Sequence, residues 1–268
     1  MRDLLLCAPD HYGIEYEINP WMSRARGADI PMTQAQWKEL YDTLSKLKCR
    51  IHLISPQPKL PDMVFTANAG LTVGRLFIPS NFRHQERAGE APHFAKYMED
   101  RGYEVSWLPK ELYFEGEGDA LFGGDALFCG YKFRSDINAH RAVADLLGCL
   151  VISVELVDPR FYHLDTCFCP LTDGGVMWFP AAFDEYGQRA IRDHVSDLID
   201  VSSEEAACFS CNAVVIDRDI VLPEGAPKLV GKLQDRGFTC YPLPMTEFLK
   251  AGGACKCLTM FMPQRDRP

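Results

Sequence analysis

The sequence predicts an α/β fold of five like modules closed in a ring, and three observations carry that prediction. Short apolar runs come in hairpin pairs, the pairs recur at near-constant spacing, and segments of helical period lie between them. The first pair is Asn68-Ala-Gly-Leu-Thr-Val, then Gly74, then Leu76-Phe-Ile; the second is Asp119-Ala-Leu-Phe, then Gly123-Gly124, then Ala126-Leu-Phe-Cys. The third joins Asp165-Thr-Cys-Phe-Cys to Val176-Met-Trp-Phe across Asp173-Gly174-Gly175, and the fourth joins Asn212-Ala-Val-Val-Ile to Ile220-Val-Leu across Asp217-Arg218-Asp219. A fifth run, Cys257-Leu-Thr-Met-Phe-Met, has no second strand after it, and the N-terminal run Leu4 to Ala8 is expected to complete that module.

The units begin at residues 68, 119, 165, 212 and 257, so the spacings are 51, 46, 47 and 45 residues. Periods of that length belong to modules stacked around an axis or along a solenoid. Helical segments are expected at Gln34 to Lys48, Ala88 to Gly102, Ser135 to Leu147 and Gly187 to Leu198; in the first, Trp37, Leu40, Tyr41, Leu44 and Leu47 follow the three-and-four rhythm of one helix face. Plain β-propeller blades lack such helices. Closing the ring brings Asn68, Asp119, Asp165, Asn212 and Cys257, each read as the first residue of an inner strand, to one end of a central axis, where polar and reactive groups converge in a deep site.

Composition is that of an ordinary soluble globular protein. The chain has 268 residues, 47% apolar and 24% charged, and is expected to form one catalytic domain over 1–268. Its net charge of −9 gives no footprint for nucleic acid or an anionic membrane, and a cationic small molecule is the more natural partner. The longest apolar run, Val176 to Phe183, is too short to span a bilayer, and Leu4 to Cys7 before Pro9 is too short for a signal peptide, so a cytoplasmic setting is expected. Eleven cysteines, an odd number scattered through apolar stretches, read as thiols of a reducing compartment; Cys167-Phe-Cys169 and Cys255-Lys-Cys257 are spaced too closely for zinc knuckles.

Several residues stand out chemically. Glu115, Glu117 and Asp119 alternate with Gly116 and Gly118, and three carboxylates so close call for an exposed loop or a bound cation, while the glycines let backbone approach something closely. No Gly-x-Gly-x-x-Gly opens a helix after a strand, so this is not a dinucleotide fingerprint. His163 and Asp165 stand two residues apart at the entrance to a strand. Cys257 follows the permissive turn Gly252-Gly253, although composition alone does not separate it from Cys255. A thiol, an imidazole and carboxylates to hold a cation are the parts of cysteine-dependent hydrolysis or transfer.

Four ordered motifs, Leu60-Pro-Asp-Met-Val-Phe-Thr-Ala-Asn68, Phe114-Glu-Gly-Glu-Gly-Asp119, His163-Leu-Asp165-Thr and Gly252-Gly-Ala-Cys-Lys-Cys257, together resemble the guanidino-group-modifying superfamily. Its members include arginine deiminases, dimethylargininases and amidinotransferases. The resemblance implies the pseudosymmetric five-module α/β-propeller, or pentein, with a central active site. In detail it is most similar to the arginine dihydrolase branch, in which an Asn, here Asn68, replaces a guanidinium-binding Asp, and a second Asn matches Asn19. Carried over, the resemblance makes Cys257 the nucleophile, His163 the general acid and base and Glu115 the group that orients it. It gives the guanidinium to Asp165 and the substrate α-carboxylate to Arg87 and Arg134, with Asp119 a further binding residue and Asp62 at the turn before Met63. It implies hydrolysis of L-arginine to ornithine, carbon dioxide and two ammonia with no metal or organic cofactor. A deiminase or dimethylargininase releasing citrulline, and a silent amino-acid-binding protein, are the alternatives.

Overall fold

The computed structural model describes residues 2–262; Met1 and residues 263–268 of the expected single domain lie outside the described residues. In chain order the strands are β1 (Asp3–Cys7), β2 (Arg50–Ile54), β3 (Gly70–Val73), β4 (Leu76–Pro79) and β5 (Glu104–Val105). Next come β6 (Ala120–Gly123), β7 (Ala126–Tyr131), β8 (Leu150–Glu155), β9 (Phe168–Pro170), β10 (Val176–Trp178) and β11 (Leu198–Asp200). The last are β12 (Val214–Ile216), β13 (Asp219–Pro223), β14 (Thr239–Leu243) and β15 (Met260–Met262). They form five separate three-stranded sheets of one design. In each, an inner strand pairs antiparallel with a middle strand, which pairs in parallel with an outer strand that follows a helix. The fifth sheet is β15-β1-β2, with Leu5 opposite Met260, so the N-terminal run completes the last module as expected.

The modules are therefore hairpin, helix and third strand, one strand more than the sequence reading supplied. The outer strands escape detection because they are short and partly exposed; β2, Arg50-Ile-His-Leu-Ile, buries only Ile54 fully and carries no clean alternation. Inner and middle strands, covered on both faces, read as the continuous apolar runs that do stand out: Leu4, Leu5 and Leu6 are wholly buried, as are Leu127 and Phe128.

The main helices occupy Ile30–Lys46, Ala91–Glu99, Ile137–Leu147, Glu185–His194 and Pro227–Asp235. The first begins four residues before the expected start, because the Asp29 side chain accepts from the Met32 amide and Pro31 fits the first turn. It buries Thr33, Gln36, Leu40 and Leu44. The helix expected to reach Leu198 stops at His194, and the residues from Leu198 onward form β11. Pro227–Asp235 was not expected: only Leu229 and Leu233 of its residues are fully buried, a four-residue spacing too sparse to announce a helix.

Just before each of the five inner strands the chain makes a tight turn that binds a neighbouring module. Asp119 Oδ1 accepts from the Leu164 amide at 3.1 Å, Asn212 Nδ2 donates to the Asp165 carbonyl at 3.0 Å, and the Lys256 amide donates to the Asn212 carbonyl at 3.2 Å. The Ala67 amide then donates to the Cys257 carbonyl at 3.1 Å, tying the last module to the first. These contacts link the pre-strand turns around the axis and concentrate polar groups there.

Candidate active site

The five repeat positions do converge, with one correction: none is the first residue of a strand. Asn68 and Asp165 lie within 3-10 turns, Asp119 closes another, and Asn212 and Cys257 sit in turns before β12 and β15. Such turns aim side chains inward along the axis, whereas strand residues alternate between faces. All five are buried.

The structure separates Cys257 from Cys255. Cys257 Sγ accepts from Asn212 Nδ2 at 3.0 Å and donates to Asp165 Oδ2 at 3.3 Å, while the Cys257 amide donates to Asn212 Oδ1 at 3.1 Å. Cys255 is fully buried, and the side-chain bonds of Asp165 and Asn212 go to Cys257 instead. Burial and then the neighbouring Asp165 push the Cys257 thiol well above its ordinary range, so it rests as a neutral thiol. Asp165 is itself pushed up to about 6 by burial, against the opposing pull of Lys256 and the bonds from Cys257 and Asn212. Its second oxygen, Oδ1, is buried without a hydrogen-bond partner among the described residues, an acceptor beside the thiol.

His163 Nε2 lies 2.8 Å from Glu115 Oε2, and Arg134 Nη1 donates to that same oxygen at 3.0 Å. Glu115 Oε1 accepts from the Arg83 amide at 3.2 Å. Burial alone would raise the Glu115 carboxyl, but Arg134 and His163 override it and hold it well below the usual carboxylate range. The imidazole thus has a permanently anionic partner.

The acidic triplet resolves in a way the sequence reading did not foresee. It is neither an exposed loop nor a cation cage: all three side chains are buried and each has its own partner. Glu115 takes His163 and Arg134, Glu117 takes Lys256 Nζ at 2.8 Å, and Asp119 takes Ser135 Oγ at 2.7 Å besides the Leu164 amide. Asp119 therefore braces the turn that carries His163. Among the described residues no group of three or more His, Cys, Asp or Glu side chains is placed to hold a metal. The intervening glycines do permit close approach. A Cβ on Gly116, whose φ is +62°, would meet the Gly70 backbone at 2.6 Å, and one on Gly118 would stand 2.1 Å from Asn68 Nδ2.

Asn68 is held at both ends. Its Oδ1 accepts from Arg87 Nη1 at 2.9 Å and its Nδ2 donates to the Glu115 carbonyl at 3.4 Å. Arg87 is buried, clamped by Glu90, and its Nε lies 4.0 Å from Asp62, whose own carbonyl accepts from Arg87 Nη2 at 3.2 Å. Arg134 lies over the Tyr162 ring and donates to the Ile18 carbonyl at 3.2 Å. Next to Ile18, Asn19 spends its side chain on backbone: Nδ2 on the Ala251 carbonyl at 3.0 Å and Oδ1 on the Trp21 and Met22 amides. It braces the turn leading to Cys257. Tyr162, Ser135 and Glu90 were not expected as site components, whereas the repeat register had already placed Asn212 among the converging residues.

A cavity of about 550 Å³ lies elsewhere. Leu121, Cys169, Ala213 and Phe261 line it at the far ends of the inner strands; Lys256 borders it and Cys257 does not.

Comparison with known proteins converges on this geometry. Residues 23–262 match the family described as N,N dimethylarginine dimethylhydrolase, eukaryotic. The bifunctional arginine dihydrolase/ornithine cyclodeaminase ArgZ of Synechocystis is 44% identical over 262 residues, 96% of this chain but 37% of ArgZ, so the chain spans little more than a third of that relative. The N(G),N(G)-dimethylarginine dimethylaminohydrolase of Mycobacterium tuberculosis is 38% identical, over 97% of this chain and 85% of that protein. The crystal structure of an Asn-to-Ser variant of the ArgZ N-terminal domain, covalently bound to a reaction intermediate, superposes with a TM-score of 0.97 at 42% identity, covering 100% of both chains.

Proposed function

Because this chain belongs to the N,N-dimethylarginine dimethylhydrolase family, we propose that it is a cysteine-dependent guanidino hydrolase that converts L-arginine to ornithine, carbon dioxide and two ammonia. The observation that carries the dihydrolase reading is Asn68, a neutral donor and acceptor held between Arg87 and the Glu115 carbonyl. The 44% identity to ArgZ supports it.

The chemistry follows from the charges. A guanidinium carbon is a poor electrophile, so the nucleophile must be a thiolate and the leaving nitrogen must be protonated. The Cys257 thiol is neutral while it donates to Asp165, and an arriving guanidinium both replaces that donor at Asp165 and stabilises a thiolate beside it. As sulfur adds to the guanidinium carbon the thiol proton passes to His163, which delivers it to the departing nitrogen, and ammonia leaves a thiouronium on Cys257. The now neutral His163 takes a proton from water, the hydroxide adds, and the carbon–sulfur bond breaks to give the ureide. Repetition on the ureide expels a second ammonia and leaves a thiocarbamate. Water cleaves it to the carbamate of ornithine, which loses carbon dioxide; two waters are consumed in all.

In this reading Glu115 orients His163, and Arg134 and the remaining Nη1 hydrogen of Arg87 receive the substrate α-carboxylate. Asp165 grips the guanidinium, and Asp119 and Asn19 position the turns bearing His163 and Cys257. A small cationic substrate suits the acidic chain, and eleven free thiols support a reducing, cytoplasmic setting. The test is a substrate panel: arginine, citrulline, agmatine and N-methylated arginines, with amino-acid products identified. Ornithine from arginine is expected. Turnover of methylated arginines alone, with citrulline as product, would replace this reading by dimethylargininase activity, and no turnover of any would leave a binding protein.

A further inference from the structure

The geometry points to Glu90 as the positioning residue that fixes which way round the Asn68 amide sits, and thereby how far the reaction runs. The inference rests on the dihydrolase reading and deepens it. Glu90 immediately precedes the helix Ala91–Glu99 and is wholly buried, an expensive place for a carboxylate without a partner. Its partner is Arg87, gripped side-on: Nε donates to Oε1 and Nη2 to Oε2, each at 2.8 Å. The other Nη2 hydrogen goes to the Asp62 carbonyl at 3.2 Å, and the guanidinium lies 4.6 Å from the centre of the Phe82 ring. Held at three points, the guanidinium cannot turn, and Nη1 is left facing Asn68 Oδ1 at 2.9 Å.

An Asn amide has two orientations that exchange oxygen and nitrogen. Arg87 has only donors to offer, so it selects the orientation with Oδ1 toward itself. Nδ2 then faces the opposite side, against the Glu115 carbonyl and over Gly118, whose Cβ position lies 3.4 Å from the His163 ring, which the proposed mechanism makes the guanidino end of the site. A donor at that place is what a neutral ureide oxygen needs. Loosening Arg87 lets the amide turn over and present oxygen, the same polarity an Asp would give. Glu90 itself touches neither Cys257 nor His163 through any hydrogen bond, so its effect on the product passes through Arg87 and Asn68.

The test is Glu90→Gln, which keeps the volume, removes the charge and sets an amide NH₂ against one Arg87 donor. With arginine as substrate, citrulline released per ornithine formed should rise roughly tenfold or more, a product ratio that stays readable whatever the variant loses in arginine binding through Arg87. Glu90→Asp, too short to reach both guanidinium nitrogens, should move the ratio in the same direction and serves if the Gln variant does not fold. Adding Glu90→Gln to Asn68→Asp should shift the ratio no further. A parent enzyme that stops at citrulline overturns the dihydrolase reading and this inference with it. A parent that makes ornithine, with folded Glu90 variants that change only KM for arginine, overturns this inference alone.

Discussion

Replacing Asn68 by Asp changes one atom and the charge of a buried group, and its consequence can be worked from its contacts. The oxygen that replaces Nδ2 fits over Gly118, since it is smaller than an NH₂ group, and the Arg87 bond at 2.9 Å survives with a stronger acceptor. What disappears is the donor: the new oxygen faces the Glu115 carbonyl at about the 3.4 Å now spanned by a hydrogen bond, acceptor against acceptor. A guanidinium, which carries only donors, gains from the added anion. A ureide oxygen left without its donor in a dry site costs about 1–3 kcal/mol, which is roughly a 5- to 150-fold rise in citrulline released relative to ornithine formed. The assay is quantitative amino-acid analysis with parallel ammonia determination over a time course with excess arginine, with circular dichroism to establish that the variant is folded. A folded Asn68→Asp protein that still delivers ornithine in the parent's proportion would refute the argument that donor polarity at residue 68 governs the second cycle.

Cys257→Ser should keep the fold and lose at least about three orders of magnitude in kcat, because a serine hydroxyl does not ionise near neutral pH, whereas Cys255→Ser should retain most activity; steady-state rates of the two variants decide which thiol reacts. Arg87→Ala and Arg134→Ala should each weaken arginine binding by about 2–3 kcal/mol, and agmatine, lacking the carboxylate, should be a poor substrate for the parent; equal kcat/KM for agmatine and arginine contradicts the assignment of both arginines. Asp165, ordinarily near 3.8 but pushed up to about 6, gains its proton and loses its charge as pH falls through that value, so kcat/KM for arginine should drop on the acid side of about pH 6; a profile flat from about pH 5 upward contradicts its role as the cation's anchor.

The ring was legible because its inner and middle strands are buried on both faces and so are written as unbroken apolar runs, such as Leu4 to Cys7 and Ala126 to Cys129. The repeat then placed Asn212 and Cys257 at equivalent positions before the structure joined them at 3.0 Å. The outer strands were not legible, since β5 is two residues long and β14 keeps only Leu243 fully buried. Nor was the partner of Glu117, which meets Lys256 across 139 positions of sequence; the Glu115–His163 pairing, across 48 positions, was expected only through the resemblance, and the closed ring creates both. Glu90 carried no signal of its own in the sequence; the fold turns Arg87 back onto it. Local sequence reports which side chains carry chemistry, and the ring decides which of them meet.

The central claim is that one site carries a guanidinium through two rounds of thiolate attack, and the most direct measurement is the stoichiometry of the parent protein. Arginine limiting and fully consumed, with ammonia, citrulline and ornithine counted together, should give two ammonia and one ornithine per arginine, with citrulline absent at the end. One ammonia and one citrulline per arginine, with no ornithine, would contradict it and leave a deiminase on the same fold.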